Sequence, residues 1–449
     1  MAQQPGLLAP RAAAALQPAL SYGMAFTDLK ELGLWSAEDP DGSIVLGVAE
    51  NRISSDLVHE RIASLGPFPP GLMTYQSWRG IPELGAALKS MLESTFMEGI
   101  SVDPDHLTFA AGAGAIVDLL FHCIASPDDG VLIPAPYYPA FDNDLAVRNS
   151  VRPLPVHLSP AAPLAAQLDA AAADAAARGH PVRALLVSNP SNPLGTVLAE
   201  GEVRDMMAWC LRRRIHFVSD EIYALSVFGA DGPAFVSAAV IAEREAAAME
   251  GGERAAELVH VIFGASKDFC ASGLRLGCLH SRNATLNSAL VNLAYFTLPS
   301  SVVQCMFAQL FGDAAFMGRF VAENNRRLAA SYEALTGALD ALPEPVPYTP
   351  ASAAMFLWID LRAGLREATW EEEDSLWAHM VKSKRLLLTP GRACHAAAPG
   401  FFRICWAWMP TEALPVAAAR MAEAVSEHRA AAAPDKAAAA AAAPAAERE

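Results

Sequence analysis

Residues 261–277 read VIFGASKDFCASGLRLG, and this stretch decides how the rest of the chain is interpreted. An apolar run ending at Phe263 breaks into a turn of small residues that carries Lys267, the only lysine between positions 90 and 381. Arg275 follows in the same turn. A lone lysine at the end of an apolar strand, followed by Ser, Gly and Arg, is typical of a Schiff-base lysine beside a phosphate site. On this stretch alone, a surface lysine at a strand end is an equally good interpretation.

Composition excludes several classes of protein. The chain has 449 residues, of which 53% are hydrophobic, so it can form a large core. Its formal charge of −16 argues against a nucleic-acid partner, which would require clustered Lys and Arg. No apolar run of about 18 residues lacks Pro, Gly and charge, so we predict no membrane span. The 7 cysteines form no CxxC pair, which favours a reducing, cytoplasmic location and argues against a bound metal.

Short apolar runs alternate with helical patterns through the middle of the chain. Candidate strands are Leu107–Ala111, Val131–Pro134, Ala184–Ser188, His216–Ser219 and Val259–Phe263. Helical patterns lie between several of them, for example at 164–177 and 201–214. This alternation predicts an α/β fold with a mostly parallel sheet between helices. In such sheets ligands bind beyond the carboxyl ends of the strands, so the loops that follow those ends are where we expect the site.

The pattern of predicted helices and strands changes near residue 305, where long helical patterns precede separated short strands. This predicts a second, smaller α+β domain. The expected organisation is a flexible arm at 1–20, the N-terminal part of the small domain at 21–55, a large cofactor-binding domain at 56–304, the C-terminal small domain at 305–428 and a disordered Ala-rich tail at 429–449.

A glycine-containing turn follows the first candidate strand. Ala113 and Gly114 begin a helical pattern there, so their backbone N–H groups can face a phosphate at a helix N-terminus. The turn also half-resembles a dinucleotide fingerprint. That fingerprint needs a third glycine where Val117 stands, which argues against dinucleotide binding.

Two further loops place polar groups at strand ends. Asn192 begins the second of two Asn-Pro steps in 188–195, where the restricted backbone aims a rigid amide above the sheet; an ordinary loop is the structural alternative. Asp220 ends an apolar strand and is either a helix N-cap or a buried acid in need of a cationic partner, such as a pyridinium nitrogen. Tyr223, three residues on, can place its hydroxyl on the same side.

Three other residues have a functional and a structural interpretation. Tyr138 follows the strand at 131–134 and either stacks on a ligand ring or simply packs. Arg403 is a single charge inside an apolar strand, which suits either a substrate carboxylate or an internal ion pair. Glu50 closes a short apolar run and is either a substrate contact or a solvated turn residue.

Taken in order, Asn-Pro-x-Gly, Asp-x-x-Tyr, Ser-Lys with a following Arg, and a late Arg in a strand resemble fold-type I pyridoxal-phosphate enzymes of aminotransferase class I/II. The resemblance covers roughly 44–425. The segments 46–51, 136–142, 188–196 and 266–268 are most similar to the 1-aminocyclopropane-1-carboxylate synthase-like branch. This resemblance implies an aspartate aminotransferase-like fold, with a seven-stranded, mostly parallel sheet in the large domain and a smaller α+β domain.

The resemblance also implies roles at the matching positions. Lys267 would hold pyridoxal 5′-phosphate as an internal aldimine and then move the Cα proton of the substrate. Asp220 would pair with the pyridine nitrogen. Tyr223 and Asn192 would hydrogen-bond the phenolic oxygen, and Tyr138 would stack on the ring.

The remaining implied roles concern the phosphate and the substrate. Arg275 and the amides of Ala113 and Gly114 would hold the phosphate. Arg403 would bind the α-carboxylate of an amino acid.

The chain departs from the family pattern at three positions. Gly264 and Gly114 stand where the family usually has hydroxyl residues that hold the phosphate, and Ser266 is a candidate replacement for one of them. Trp78 stands where the family has a tyrosine contributed across a homodimer interface, and an indole N–H donates one hydrogen bond but cannot act as a phenol does. Glu50 is retained.

The expected reaction proceeds from an external aldimine to a quinonoid, with transamination as the first choice. The alternatives are cyclopropane formation or carbon–sulfur elimination, and a catalytically idle binding or regulatory homologue. The expected partners are a small amino acid and a second copy of the chain, with the active site at the interface.

Overall fold

A computed structural model describes residues 12, 15, 16, 20, 22–248 and 255–431 of the chain. Over these residues no helix combines the length and the apolar character needed to cross a membrane. The predicted arm at 1–20 lies almost entirely outside the described residues, and so does the predicted tail from 432 onward.

The described residues form strands and helices in alternation over most of the chain. The strands are β1 (Ile44–Val45), β2 (Leu107–Ala110), β3 (Gly130–Ala135), β4 (Arg152–His157), β5 (Val182–Ser188), β6 (His216–Asp220), β7 (Val259–Gly264), β8 (Gly277–Ser281), β9 (Tyr348–Thr349), β10 (Phe356–Asp360), β11 (Leu386–Leu387), β12 (Thr389–Pro390) and β13 (Phe401–Cys405). The α-helices are α1 (Gly23–Glu31), α2 (Ser55–Ala63), α3 (Pro82–Glu93), α4 (Ala113–Ile124), α5 (Ala140–Ala146), α6 (Leu164–Ala177), α7 (Glu200–Arg213), α8 (Ala238–Ala248), α9 (Ala284–Ala294), α10 (Ser301–Phe311), α11 (Ala314–Asp340), α12 (Trp370–Lys384) and α13 (Ala413–Ala430).

The larger sheet has seven strands in the order β2-β8-β7-β6-β5-β3-β4. Five of them, β7, β6, β5, β3 and β4, pair in parallel, and β8 runs antiparallel to both of its neighbours. The predicted α/β fold with a seven-stranded, mostly parallel sheet is confirmed. Because β5, β6 and β7 end at the same edge, the loops that follow them meet above that edge.

Two strands of this sheet, β4 and β8, were not predicted from the sequence, and each has a physical reason. β4 contains Pro153 and Pro155, which usually argue against a strand. It is an edge strand that pairs only with β3, where a missing N–H does no harm. Its alternate residues Leu154 and Val156 are buried. β8 begins two residues after Arg275 and has only five residues, so no separate apolar run marked it in the sequence.

A second, smaller sheet is antiparallel, in the order β12-β13-β10-β9, and β1 pairs in parallel with β11 nearby. β1, β10, β11 and β13, with α12, α13 and the second half of α11, share one buried cluster. The long helix α11 serves both parts, since Phe316 and Phe320 pack in the core of the larger sheet whereas Leu328 and Leu335 pack in the smaller one.

Two of the predicted domain boundaries fall inside helices. The division between 304 and 305 falls inside α10, whose buried Phe307 and Leu310 belong to the core of the larger sheet. We propose that the division lies within α11, between Phe320 and Leu328. At the C-terminus, α13 continues to Ala430, so the predicted tail begins inside a helix.

Candidate functional site

A cavity of about 250 Å³ opens where the loops after β5, β6 and β7 meet the N-terminus of α4. Every residue that the sequence analysis assigned to cofactor binding lines it, namely Ala113, Gly114, Tyr138, Asn192, Asp220, Tyr223, Ser266, Lys267 and Arg275. These residues come from five separate stretches of chain, so their convergence depends on the order of the strands in the sheet.

Lys267 lies in the turn after β7, and its side chain is partly buried. Its amine donates a hydrogen bond to the carbonyl oxygen of Ala49, which precedes Glu50. Burial lowers the pKa of the Lys267 amine, although the nearby carboxylates of Glu50 and Asp220 oppose this shift. A less basic amine is more often neutral, and a neutral amine is the form that attacks a carbonyl group.

Asp220 is the last residue of β6 and is 6% exposed. One carboxylate oxygen accepts from the backbone N–H of Ile222 at 3.3 Å, and no cation pairs with it among the residues described. Burial raises the pKa of Asp220 to about 7, the Ile222 hydrogen bond opposes that rise, and the nearby Asp144 adds to it. A protonated pyridine nitrogen would supply the missing cation and keep the carboxylate ionised.

The N-terminus of α4 and Arg275 together form an anion site. Gly112 precedes the helix with φ of +97°, and a Cβ atom there would overlap the guanidinium of Arg275. Arg275 donates to the carbonyl oxygens of Ser272 at 2.9 Å and Ala111 at 3.0 Å. No carboxylate pairs with this guanidinium in the described ranges. A helix N-terminus beside an uncompensated arginine fits a phosphate group.

The two glycines that replace family hydroxyl residues have different surroundings. A Cβ atom on Gly264 would lie 2.7 Å from the carbonyl oxygen of Leu276, so the backbone leaves no room for serine. At Gly114 the nearest atoms to such a Cβ are the carboxylate oxygens of Asp144 at 3.7 Å, an ordinary contact. Ser266, 6% exposed, supplies a hydroxyl group on the wall of the cavity.

Arg403 lies behind Asn192 and does not itself line the cavity. Its guanidinium donates to the side-chain oxygen of Asn192 at 2.8 Å, to the carbonyl oxygen of Gly47 at 2.8 Å and to the hydroxyl of Thr389 at 2.9 Å. The side chain is 0% exposed and its Nε has no partner. No carboxylate pairs with it in the described part of the chain, which argues against the internal ion pair. A buried, uncompensated arginine fits a substrate carboxylate.

The three other residues predicted to contact a cofactor ring lie close to one another at the cavity. Tyr138 is partly buried and packs edge-on against Phe141 with ring centroids 5.2 Å apart. The amide nitrogen of Asn192 lies 3.5 Å from the hydroxyl of Tyr223. Burial raises the pKa of the Tyr223 phenol well above its ordinary value, so the hydroxyl keeps its proton and is a hydrogen-bond donor.

Glu50 reaches the cavity through Ser272. One oxygen of its carboxylate accepts from the Ser272 hydroxyl and the other from the indole N–H of Trp408 at 3.1 Å. Trp78 lies elsewhere. It is 48% exposed and packs edge-on against Tyr295 with centroids 5.3 Å apart, outside the cavity of its own chain.

Three residues at the site were missed by the sequence analysis. Tyr22 is 6% exposed, and burial raises the pKa of its phenol while the adjacent Arg403 opposes that rise. Asp144 lines the cavity, and burial raises its pKa to about 6. Ser272 completes the group. No spacing rule places Tyr22, far away in the chain, beside Arg403, but Asp144 and Ser272 each lie within a few residues of a predicted position.

The donor set fits pyridoxal phosphate. The cavity offers an amine for the aldehyde, an uncompensated acid for the ring nitrogen, an aromatic side chain for stacking, and a helix N-terminus with an arginine for the phosphate. Among the described residues, no group of three or more His, Cys, Asp or Glu side chains could hold a metal ion.

Known proteins resemble this chain over most of its length. Residues 57–421 match the family described as aminotransferase class I and II. A 1-aminocyclopropane-1-carboxylate synthase of Oryza sativa subsp. japonica is 36% identical, covering 86% of this chain and 83% of that protein. One of Arabidopsis thaliana is 34% identical, covering 85% and 78%.

Solved structures show the same fold at lower identity. The aspartate aminotransferase of Thermus thermophilus with maleate has a TM-score of 0.73 at 20% identity, covering 93% of this chain and 99% of that one. The aspartate aminotransferase of Rhizobium meliloti has a TM-score of 0.74 at 20% identity, covering 95% and 99%. This chain therefore belongs to the aminotransferase class I and II family and is an enzyme whose cofactor is pyridoxal phosphate.

Proposed function

We propose that the protein moves a proton at the α-carbon of an amino acid, and that the net reaction is transamination. The observation that carries this proposal is that one cavity contains both the amine of Lys267 and the carboxylate of Asp220, and that neither forms a salt bridge with any residue that the structure describes. The family assignment supports an enzyme rather than an idle homologue.

Bound pyridoxal phosphate supplies an aldehyde for the substrate amine and an electron-accepting ring. Lys267 would take the proton from the α-carbon of the substrate and deliver it to the carbon that carried the aldehyde, and burial lowers the pKa of the amine that makes this transfer. Asp220 would keep a positive charge on the ring nitrogen. Tyr138 would stack on the ring, while Tyr223 and Asn192 would hydrogen-bond the phenolic oxygen.

The cations at the site favour a monocarboxylic substrate. Arg275 faces the phosphate end, which leaves Arg403 for the α-carboxylate. Among the described residues, Lys267 and Arg275 are the only Lys or Arg side chains that line the cavity. A second carboxylate on the substrate side chain would meet Glu50 near that wall, and this like-charge approach is unfavourable.

Cyclopropane formation is the second candidate, since the curated relatives named above are 1-aminocyclopropane-1-carboxylate synthases. Glu50 is retained next to the cavity. Against it stands Trp78, which brings no phenol to the site. Carbon–sulfur elimination shares the same first proton transfer and differs only in the group that leaves afterwards.

We also propose that two copies of the chain form a homodimer. Trp78, Tyr295 and Phe296 form an exposed aromatic surface, with Tyr295 and Phe296 59% and 78% exposed. Exposed aromatic clusters of this kind mark interfaces, and a second copy would bury them and bring Trp78 toward the neighbouring cavity. We also propose a cytoplasmic location, because all seven cysteines are free thiols.

A product assay tests the reaction. The purified holoenzyme is mixed with a panel of L-amino acids plus a 2-oxo acid, and separately with S-adenosylmethionine. Keto acid formed in proportion to a new amino acid supports transamination. Ammonia would indicate elimination, and a cyclic amino acid would indicate the second candidate. Lys267→Ala should abolish whichever product is formed, and a product that persists in this variant would contradict the role of Lys267.

A further inference from the structure

A polar cluster outside the cavity joins the loop of Tyr138 to the smaller sheet. The Tyr137 hydroxyl donates to one carboxylate oxygen of Asp142 at 2.6 Å, and Nε2 of His395 lies 2.7 Å from the other oxygen. The rings of Tyr137 and His395 also stack, with centroids 4.5 Å apart and planes at 22°. The backbone N–H of Tyr137 donates to the carbonyl oxygen of Cys394 at 2.9 Å.

The chemistry of this cluster determines which of its atoms carry protons. An ionised carboxylate only accepts hydrogen bonds, so Nε2 of His395 must carry a proton in the neutral ring as well as in the charged one. Tyr137 is 2% exposed, and the negative charge of Asp142 adds to burial in raising the pKa of its phenol. The phenol therefore also stays a donor. Both oxygens of Asp142 are then satisfied, one by its near neighbour Tyr137 and the other by His395 from a distant part of the chain.

The cluster lies between two residues with proposed roles. Tyr137 is bonded directly to Tyr138, the residue proposed to stack on the cofactor ring. On the other side, His395 ends the short turn after β12, and Thr389 of β12 is paired with Arg403 of β13. Thr389 also accepts a hydrogen bond from the Arg403 guanidinium. A series of covalent links and hydrogen bonds therefore connects the residue proposed to stack on the ring with the arginine proposed for the substrate carboxylate.

We propose that His395 is a positioning residue, which holds the turn 391–396 against Tyr137 and so sets the separation between the ring of Tyr138 and the guanidinium of Arg403. This rests on the roles given to Tyr138 and Arg403 above. A misplacement of about 1 Å between a binding group and a reacting centre can cost about 100-fold in rate. The cluster lies outside the cavity and touches no reacting atom.

The test compares His395→Leu, which removes the donor, with His395→Gln, whose amide nitrogen can replace Nε2. His379→Leu is the matched control, since His379 makes a similar contact with Glu427 at 3.0 Å far from the cavity. Each holoenzyme reacts with two carbonyl reagents, aminooxyacetate and methoxyamine, and the loss of the visible cofactor band gives the rates. Only aminooxyacetate carries a carboxylate. The rate with aminooxyacetate is therefore divided by the rate with methoxyamine, and this ratio is divided by the same ratio for free pyridoxal phosphate. The resulting normalised ratio reports how well Arg403 is placed to bind the carboxylate of the reagent.

We expect His395→Leu to lower this normalised ratio about tenfold with little change in the methoxyamine rate. His395→Gln should stay within about twofold of the unaltered protein, and His379→Leu should not differ from it. Hydrogen exchange should become faster in the peptide covering 388–396 of His395→Leu alone. If His395→Leu does not fold, Tyr137→Phe removes the other donor to Asp142 and should lower the ratio in the same direction.

Several results would overturn the proposal. An unchanged ratio in a folded His395→Leu, or an equal loss in His395→Gln, would show that the donor does not position the site. A ratio of one in the unaltered protein would remove the role of Arg403 and this proposal with it. If no visible band forms with pyridoxal phosphate, the proposed function is contradicted. The positioning role is tested separately, because unchanged hydrogen exchange in the peptide 388–396 of His395→Leu would reject it.

Discussion

The guanidinium of Arg403 lies 2.8 Å from the side-chain oxygen of Asn192, and the amide nitrogen of the same Asn192 lies 3.5 Å from the hydroxyl of Tyr223. One amide thus connects the residue proposed for the substrate carboxylate with one proposed for the cofactor. Arg403 is buried without a carboxylate partner in the described ranges, and this supports the proposal that it binds the carboxylate of a substrate.

Replacing Arg403 by lysine should weaken substrate binding strongly. Lysine keeps the charge but cannot form the planar pair of hydrogen bonds, and losing a buried charged contact costs about 2–5 kcal/mol. We expect kcat/KM for amino acids to fall at least about 30-fold. The affinity for pyridoxal phosphate, measured by equilibrium dialysis, should change little. A large loss of cofactor affinity would instead place Arg403 at the cofactor.

Replacing Lys267 by alanine should remove the covalent attachment of the cofactor and the proton-transfer group together. We expect kcat to fall by about 10²–10⁴-fold or more, and borohydride treatment followed by mass spectrometry should find no cofactor attached to the chain. Lys89→Ala is a suitable control, because Lys89 pairs with Glu93 at 2.7 Å away from the cavity. Attachment at another lysine in Lys267→Ala would contradict the assignment.

Asp220 should make cofactor binding depend on pH. Burial raises its pKa to about 7 in the protein alone, whereas a bound pyridinium favours the ionised carboxylate. Cofactor binding then releases a proton from Asp220 below pH 7, so affinity should rise with pH by at most about tenfold per unit and level off above it. Asp220→Asn should lose this part of the pH dependence. An identical profile in Asp220→Asn would show that other groups, including those of the cofactor, account for it.

The same group should affect the stability of the apoprotein in the opposite direction. The pKa of Asp220 is higher in the folded protein than the usual 3.8 of the unfolded chain. Its contribution to stability is therefore fully present below about pH 4 and is lost as pH rises toward 7. The melting temperature of the apoprotein should fall less steeply over this range in Asp220→Asn than in the unaltered protein.

The two glycines of the phosphate region should respond differently to serine. Gly114→Ser places a hydroxyl in an ordinary contact next to the anion site, and a hydrogen bond to a charged group is worth about 1.5–3 kcal/mol. We expect roughly tenfold tighter binding of pyridoxal phosphate. Gly264→Ser must displace the backbone at Leu276, so the melting temperature should drop. If Gly264→Ser bound cofactor more tightly without loss of stability, the packing described for that strand end would be wrong.

Charge on the exposed aromatic surface should prevent self-association. Phe296→Glu places a carboxylate where a second copy is proposed to pack, so we expect the mass measured by light scattering to change from that of a dimer to that of a monomer. Activity should fall with it. Met24→Glu, on an equally exposed apolar side chain at 66%, serves as the control. A dimer that persists in Phe296→Glu would place the interface elsewhere.

By itself, the sequence determined the fold class and named most of the residues that line the cavity. It could do so because Lys267, Asp220, Asn192 and Arg275 each follow directly from the end of an apolar strand or its turn. The ends of parallel strands must meet at one edge, so local patterns were sufficient to bring these four side chains together.

Only the tertiary structure decided which side chains from distant parts of the sequence come into contact. Tyr22 approaches Arg403, and His395 approaches Asp142, across hundreds of residues of chain, and no periodicity predicts either contact. Likewise, the sequence showed glycine at both 114 and 264, but only the packing shows that one has room for a hydroxyl and the other does not. Side-chain contacts of this kind depend on how the two sheets are placed against each other, and that placement results from the buried cores as a whole rather than from any one segment.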